Sequence, residues 1–210
     1  MDTFPESDRP TRRRAALSLS ITNITQAAVF AALIAVLGIP GSFNLASGVP
    51  ITLQSMGVML AGAVLGPKKG TLAVVIFMAL AIAGLPILAG GRNGQTALSS
   101  PTAGYFLGFL PAVIVIGVAT AFMMPRYRLW LGMIINVVGG ALVIYACGTI
   151  GLMVRTDMSL RQTITTNGPF IVGDLIKAAV TTVVAQQVHR GRPGLIAPLR
   201  LRRNRSPRQL

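Results

Sequence analysis

Apolar residues fall in six long runs, separated by short polar or Gly/Pro-rich breaks. The runs lie near 21–39, 50–66, 69–86, 102–124, 129–153 and 169–189. A helix needs about 20 mostly apolar residues to cross a bilayer, so the pattern predicts six transmembrane helices. The second run is the shortest, bounded by Pro50 and by Gly66-Pro67. The expected fold is all-α: one six-helix membrane domain over residues 21–190, with a basic tail at each end (1–20 and 191–210). Pro5 and Pro10 among polar residues predict a disordered N-terminal tail. Arg12–Arg14 ahead of an apolar run imitate a signal peptide, but that run reads as the first of a series and is expected to stay uncleaved.

Composition excludes several classes. Hydrophobic residues make up 52% of the 210 and charged residues 11%, against about 25% charged in a soluble domain. A soluble enzyme or a disordered chain does not fit. The net charge of +14 would suggest nucleic acid, but the basic residues sit at the ends and in the short breaks. Fifteen of the 19 fall in segments 1–20, 66–70, 125–128 and 190–210, whereas Arg92, Arg155 and Arg161 occupy the other breaks and Lys177 lies within a run. The positive-inside rule then puts both termini in the cytoplasm and the longer, Gly/Ser/Thr/Asn-rich loops outside. No nucleic-acid partner is expected; the lipid bilayer is.

The chemistry available is sparse. One cysteine (Cys147) and one histidine (His189) leave no disulfide within the chain and no ligand set for a Cys/His zinc site. No GxxxxGK[ST] phosphate loop occurs, so any ATP hydrolysis belongs to another chain. An intramembrane enzyme needs a Ser/His, paired-Asp or metal constellation, and none is present. Neither catalysis nor a cofactor is expected.

Beyond the N-terminal tail the acidic residues are Asp157, in an outer loop, and Asp174. Asp174 and Lys177 lie in the sixth apolar run at i,i+3, on one helix face. A charge near the bilayer centre costs about 2.5–3.5 kcal/mol on insertion scales. Either the two lock helix packing as an ion pair, or they line a polar ligand pocket. Arg92 stands in a glycine-rich outer loop and offers a planar fork suited to a carboxylate; the alternative is an exposed loop arginine. Ser100-Pro101 suits the N-cap and first position of the fourth span. Tyr105 could stack on a ligand ring or pack, and Gly104 and Gly108 around it permit close helix contact. Thr52 and Gln54 make the entry to the second span polar. Ala27, Ala31 and Ala35 form a small-residue strip on the first span. It serves packing within the bundle or docking of another membrane subunit.

Several motifs together resemble the BioY family, the biotin-specific S components of energy-coupling factor (ECF) transporters. They are Val49-Pro-Ile-Thr-Leu-Gln54, Gly84-Leu-Pro, Gly90-Gly-Arg92-Asn-Gly94, Ser100-Pro-Thr-Ala-Gly-Tyr105 with Gly108-Phe109, and Gly173-Asp-Leu-Ile-Lys177. The likeness covers about residues 21–190. It departs at Ser100 and Ala103, where the family more often has glycine. The resemblance implies a six-helix protein that captures biotin from outside and works with a transmembrane coupling subunit and two ATPases. It implies ligand contacts from Gln54, Gly91, Arg92, Asn93, Tyr105, Asp174 and Lys177, and a coupling face at Ala27, Ala31 and Ala35. Arg92 and Lys177 both remain candidates for the biotin carboxylate. An S component for another vitamin such as thiamin, or a stand-alone vitamin facilitator, is the alternative function.

Overall fold

The computed structural model describes residues 20–39, 43–44 and 50–199. Residues 1–19 and 200–210 of the expected tails (1–20 and 191–210), and most of the first outer loop, lie outside the described residues. The described chain is helical apart from one small hairpin. Helix α1 runs over Ile21–Val36; it ends shortly before Pro40, whose ring disfavours helix in the residue before it. Strands β1 (Phe43–Asn44) and β2 (Pro50–Ile51) pair antiparallel. The second helix therefore begins at Gln54 rather than at Pro50.

Helix α2 (Gln54–Ile82) is two helical arms that meet at Gly66, which has φ 76° and ψ −171°. That conformation suits glycine and ends the first arm, and Pro67 is preorganised to start the second. Nine residues of straight helix would span about 13 Å. Here a Cβ on Gly70 would stand 2.5 Å from the Ala61 carbonyl oxygen. The chain thus reverses at Gly66, within the five-residue break read from the sequence, and the arms 54–65 and 67–82 lie side by side.

A short helix α3 (Gly94–Ser99) sits in the loop before α4 (Ala103–Met123). The expected start of α4 at Ser100-Pro101 is corrected: Thr102 is the N-cap, and Ser100 instead closes α3. Next comes one 27-residue helix, Leu129–Arg155. It consists of α5 (Leu129–Asn136), a π-helical turn (Val137–Leu142) and α6 (Val143–Arg155). Helix α7 (Leu160–Asn167) opens on a capping box between Ser159 and Gln162. Helix α8 (Phe170–Gly191) completes the bundle.

The result is an all-α membrane protein. Among the described residues, four helices are long and apolar enough to span a bilayer, and α1, at 16 residues, is a shorter apolar one. The core is built mainly by α1, α2 and α4, around Ile34, Met59, Phe77 and Ile116, all fully buried. Bulky apolar side chains such as Val154, Val172 and Ile176 point outward instead, as lipid-facing residues do.

One detail corrects the sequence reading, and a second extends it. Ala27 and Ala31 are buried inside the chain's own core and Ala35 is packed against it, so this strip serves α1 packing within the bundle. The outward face of α1 carries Thr25, Ala28 and Ala32 instead. At the other end, the start of the expected basic tail is packed. Ile196 is buried against Ala121 and Met124, Leu199 N–H donates to the Ala121 carbonyl (3.0 Å), and Lys69 Nζ donates to the Leu195 carbonyl (3.1 Å).

Candidate functional site: a polar cavity lined by α2, α4, α6, α8 and the Arg92 loop

Asp174 and Lys177 occupy the inward face of α8, both about 6% exposed. They pair directly, Lys177 Nζ to Asp174 Oδ1 at 2.8 Å, the only ion pair among the described residues. Burying either charge alone would be costly; paired and hydrogen-bonded, they persist. Two further residues, neither marked out by any sequence pattern, complete the cluster. Ser55 on α2 accepts from Lys177 Nζ (3.3 Å) and donates to Asp174 Oδ1 (3.4 Å). Tyr145 on α6 donates its hydroxyl to Asp174 Oδ2 at 2.5 Å.

Gln54 is buried and fully engaged. Its Nε2 donates to the Ile87 carbonyl (2.9 Å) and the Ile34 carbonyl (3.4 Å), and its Oε1 accepts from Ala89 N–H (3.2 Å). It pins the 87–89 loop onto the start of α2. Gly38 makes room for it: a Cβ there would stand 2.7 Å from the Gln54 amide nitrogen.

The pinned loop turns back at Gly90 and Gly91, whose φ values are 76° and 69°. Leu88 N–H then meets the Arg92 carbonyl at 2.9 Å. Arg92 Nε donates to the Ala89 carbonyl (3.2 Å) and Nη1 to Thr102 Oγ1 (3.5 Å). Partial burial lowers the Arg92 pKa, but a guanidinium stays charged. With Asp174 taken by Lys177, Arg92 has no acidic partner among the described residues.

Tyr105 is held by its hydroxyl, which donates to Asn167 Oδ1 at 2.7 Å. Asn167 in turn donates to Thr149 Oγ1 at 3.0 Å. These groups surround one open-mouthed cavity of about 90 Å³, smaller than the roughly 300–1,000 Å³ typical of small-molecule sites. Gln54, Arg92, Tyr105, Asp174 and Lys177 line it, with Thr52, Ser55, Thr102 and Tyr145. Phe106, Phe109, Phe170 and Ile144 supply apolar wall. Gly91 and Asn93 do not line it. Gly91 makes the turn, and the Asn93 side chain caps α3 by accepting from Thr96 N–H at 2.9 Å.

The lining thus holds two cations and one carboxylate, a net positive charge, beside aromatic surface. Its chemistry matches a small ring-bearing ligand that offers both hydrogen-bond donors and acceptors and carries one negative charge. The family model that matches residues 11–194 is that of the BioY family.

The chain belongs to the BioY family.

Its relatives are biotin transporters by name. The biotin transporter BioY of Rhodobacter capsulatus is 42% identical over 184 residues, covering 83% of this chain and 96% of that protein. The biotin transporter BioY of Rhizobium etli is 35% identical over 185 residues, covering 85% of this chain and 99% of that one. A crystal structure of the S-component for biotin from an ECF-type ABC transporter superposes with a TM-score of 0.77 at 33% identity. That match covers 81% of this chain and 92% of the other. This BioY chain is a multi-pass membrane protein of a transporter family.

Proposed function

We propose that this chain is the substrate-capture S component of an ECF-type importer and binds biotin from the outer side. The observation that carries the reading is the charge set of the cavity: an Asp174–Lys177 pair together with an Arg92 that has no carboxylate of its own among the described residues. Biotin has a ureido ring with N–H donors and a carbonyl acceptor, an apolar sulfur ring and a valerate carboxylate. Asp174 accepts from the ureido N–H, Lys177 donates to the ureido carbonyl, the aromatic wall covers the fused rings, and Arg92 takes the carboxylate. Gln54 and Asn93 act at one remove, by shaping the loop that presents Arg92.

Six crossings, with the two arms of α2 as separate spans, put both tails in the cytoplasm. The uneven distribution of basic residues supports this orientation. Lacking a nucleotide loop, the chain relies on a transmembrane coupling subunit and two ATPases. The α1 face open to that subunit is Thr25, Ala28 and Ala32, since small residues let helices approach closely. A cationic vitamin such as thiamin fits less well, because the lining already carries excess positive charge.

The test is equilibrium binding of radiolabelled biotin to the purified chain in nanodiscs, with other vitamins as competitors. Saturable binding displaced by unlabelled biotin alone is expected. Equal displacement by thiamin, or no saturable binding, would overturn the reading.

A further inference from the structure

We infer that Tyr145 is a positioning residue for ligand recognition, fixing the Asp174 carboxylate so that one acceptor position remains free beside one free donor of Lys177. The inference rests on the biotin reading above and adds a residue and a ligand group to it.

Counting donors and acceptors carries the argument. An ionised carboxylate has about four lone-pair positions, two on each oxygen. Asp174 Oδ1 already accepts from Lys177 (2.8 Å) and from Ser55 (3.4 Å). Oδ2 accepts from Tyr145 at 2.5 Å, so its second position is open. An ammonium has three donors, of which Lys177 uses two, on Asp174 and Ser55. One acceptor and one donor therefore remain side by side on the cavity wall. Their complement is a group with an N–H next to a C=O, as in a cyclic urea or lactam. Without the Tyr145 hydroxyl, the carboxylate is held through Oδ1 alone and can rotate its free acceptor away.

The backbone supports this role. A π turn takes in about one extra residue, which shifts every later side chain by about 100° around the axis. The π turn at Val137–Leu142 directly precedes Tyr145 and so sets its direction. Two glycines let it pack. A Cβ on Gly139 would stand 2.6 Å from Ile116 Cγ1, and one on Gly140 would stand 2.5 Å from Met59 Cε. Tyr145 also lines a second, apolar groove with Leu142, Ile150 and Ile171, so its ring forms wall between groove and ligand cavity. Tyr145→Phe keeps that wall and removes only the hydroxyl.

The experiment measures biotin affinity in nanodiscs for the parent, Tyr145→Phe, Asp174→Asn and the double variant. Tyr145→Phe should weaken biotin about tenfold in the parent, the loss typical of a hydrogen bond to a charged group. It should change affinity less than about twofold in the Asp174→Asn background, because the two then act through one group. A second readout uses a biotin analogue methylated on the ureido nitrogens: the parent should discriminate strongly against it, and Tyr145→Phe should discriminate less. Parent-like affinity and discrimination in Tyr145→Phe would overturn the role of Tyr145, as would an equal loss in both backgrounds. Failure of the parent itself to bind biotin would sink the biotin reading, and this inference with it.

Discussion

Replacing Gln54 by leucine puts an apolar side chain of similar bulk in its place and removes every hydrogen bond through which its carboxamide holds the 87–89 loop and α1. The Ile87 and Ile34 carbonyls and the Ala89 N–H lose their partner together. A net intramolecular hydrogen bond contributes about 0.5–1.5 kcal/mol, and a group left buried without a partner costs more. The Ile34 contact is long at 3.4 Å, so about 2 kcal/mol is a fair total for loop docking. At 1.4 kcal/mol per factor of ten, the loop should open about thirty times more often. Hydrogen exchange at Leu88 and Ala89 in nanodiscs should speed up by about that factor. Biotin affinity should fall by a similar or smaller factor, since only the closed loop presents Arg92. Saturating biotin should slow the exchange again. If affinity collapses while loop exchange stays at the parent rate, Gln54 touches the ligand directly. The pinning argument is then wrong.

Four further outcomes follow from the same geometry. Arg92→Ala should weaken biotin about tenfold or more and a neutral biotin amide much less, measured by competition; equal losses would reassign the carboxylate to Lys177. Ala28→Leu or Ala32→Leu should impair uptake in cells supplying the coupling subunit and ATPases while leaving biotin binding to the purified chain intact. Ala27→Leu should instead lower the thermal midpoint of the isolated chain, because overpacking a filled core costs about 1–3 kcal/mol. With six crossings, Thr165→Cys should react with a membrane-impermeant maleimide added outside intact cells, and protection there would invert the proposed topology.

The apolar runs made the long helices legible, because lipid-facing helices need apolar residues on every side. The same signal misplaced the ends. Pro50-Ile51 is apolar enough to extend a span, yet it pairs with Phe43–Asn44. Ser100-Pro101 carries good capping chemistry, yet the chain uses Ser100 to close α3. Asp174 and Lys177 stood out because charge inside an apolar run is rare. Ser55 and Tyr145 did not, because a lone hydroxyl in a helix is common and only tertiary contact gives it a partner. The alanine strip was ambiguous for a related reason. Ala27 and Ala28 are neighbours in sequence but project about 100° apart around the helix, the first fully buried and the second exposed. Spacing finds a small-residue face; only packing shows which face is filled.

The glycines of α4 and α6 link packing to the site. A Cβ on Gly151 would stand 2.6 Å from Gly104 Cα, and one on Gly104 would collide with the Cys147 carbonyl oxygen. The two helices therefore cross at nearly backbone contact, as the Gly104–Gly108 spacing suggested. This closeness lays the Tyr105 ring directly on Gly148, where any Cβ would overlap it. The ring is then fixed from both ends, by Gly148 beneath it and by Asn167 on its hydroxyl. Tyr145 lies three residues before Gly148 on the same helix, so the crossing that seats Tyr105 also sets the distance from Tyr145 to the cavity. Asp174 and Lys177 come from α8 and Arg92 from a loop, but the Tyr105 ring that shares their cavity is seated on a residue with no side chain. A polar ligand site can then be held rigid in a bundle whose outer surface is adapted to lipid.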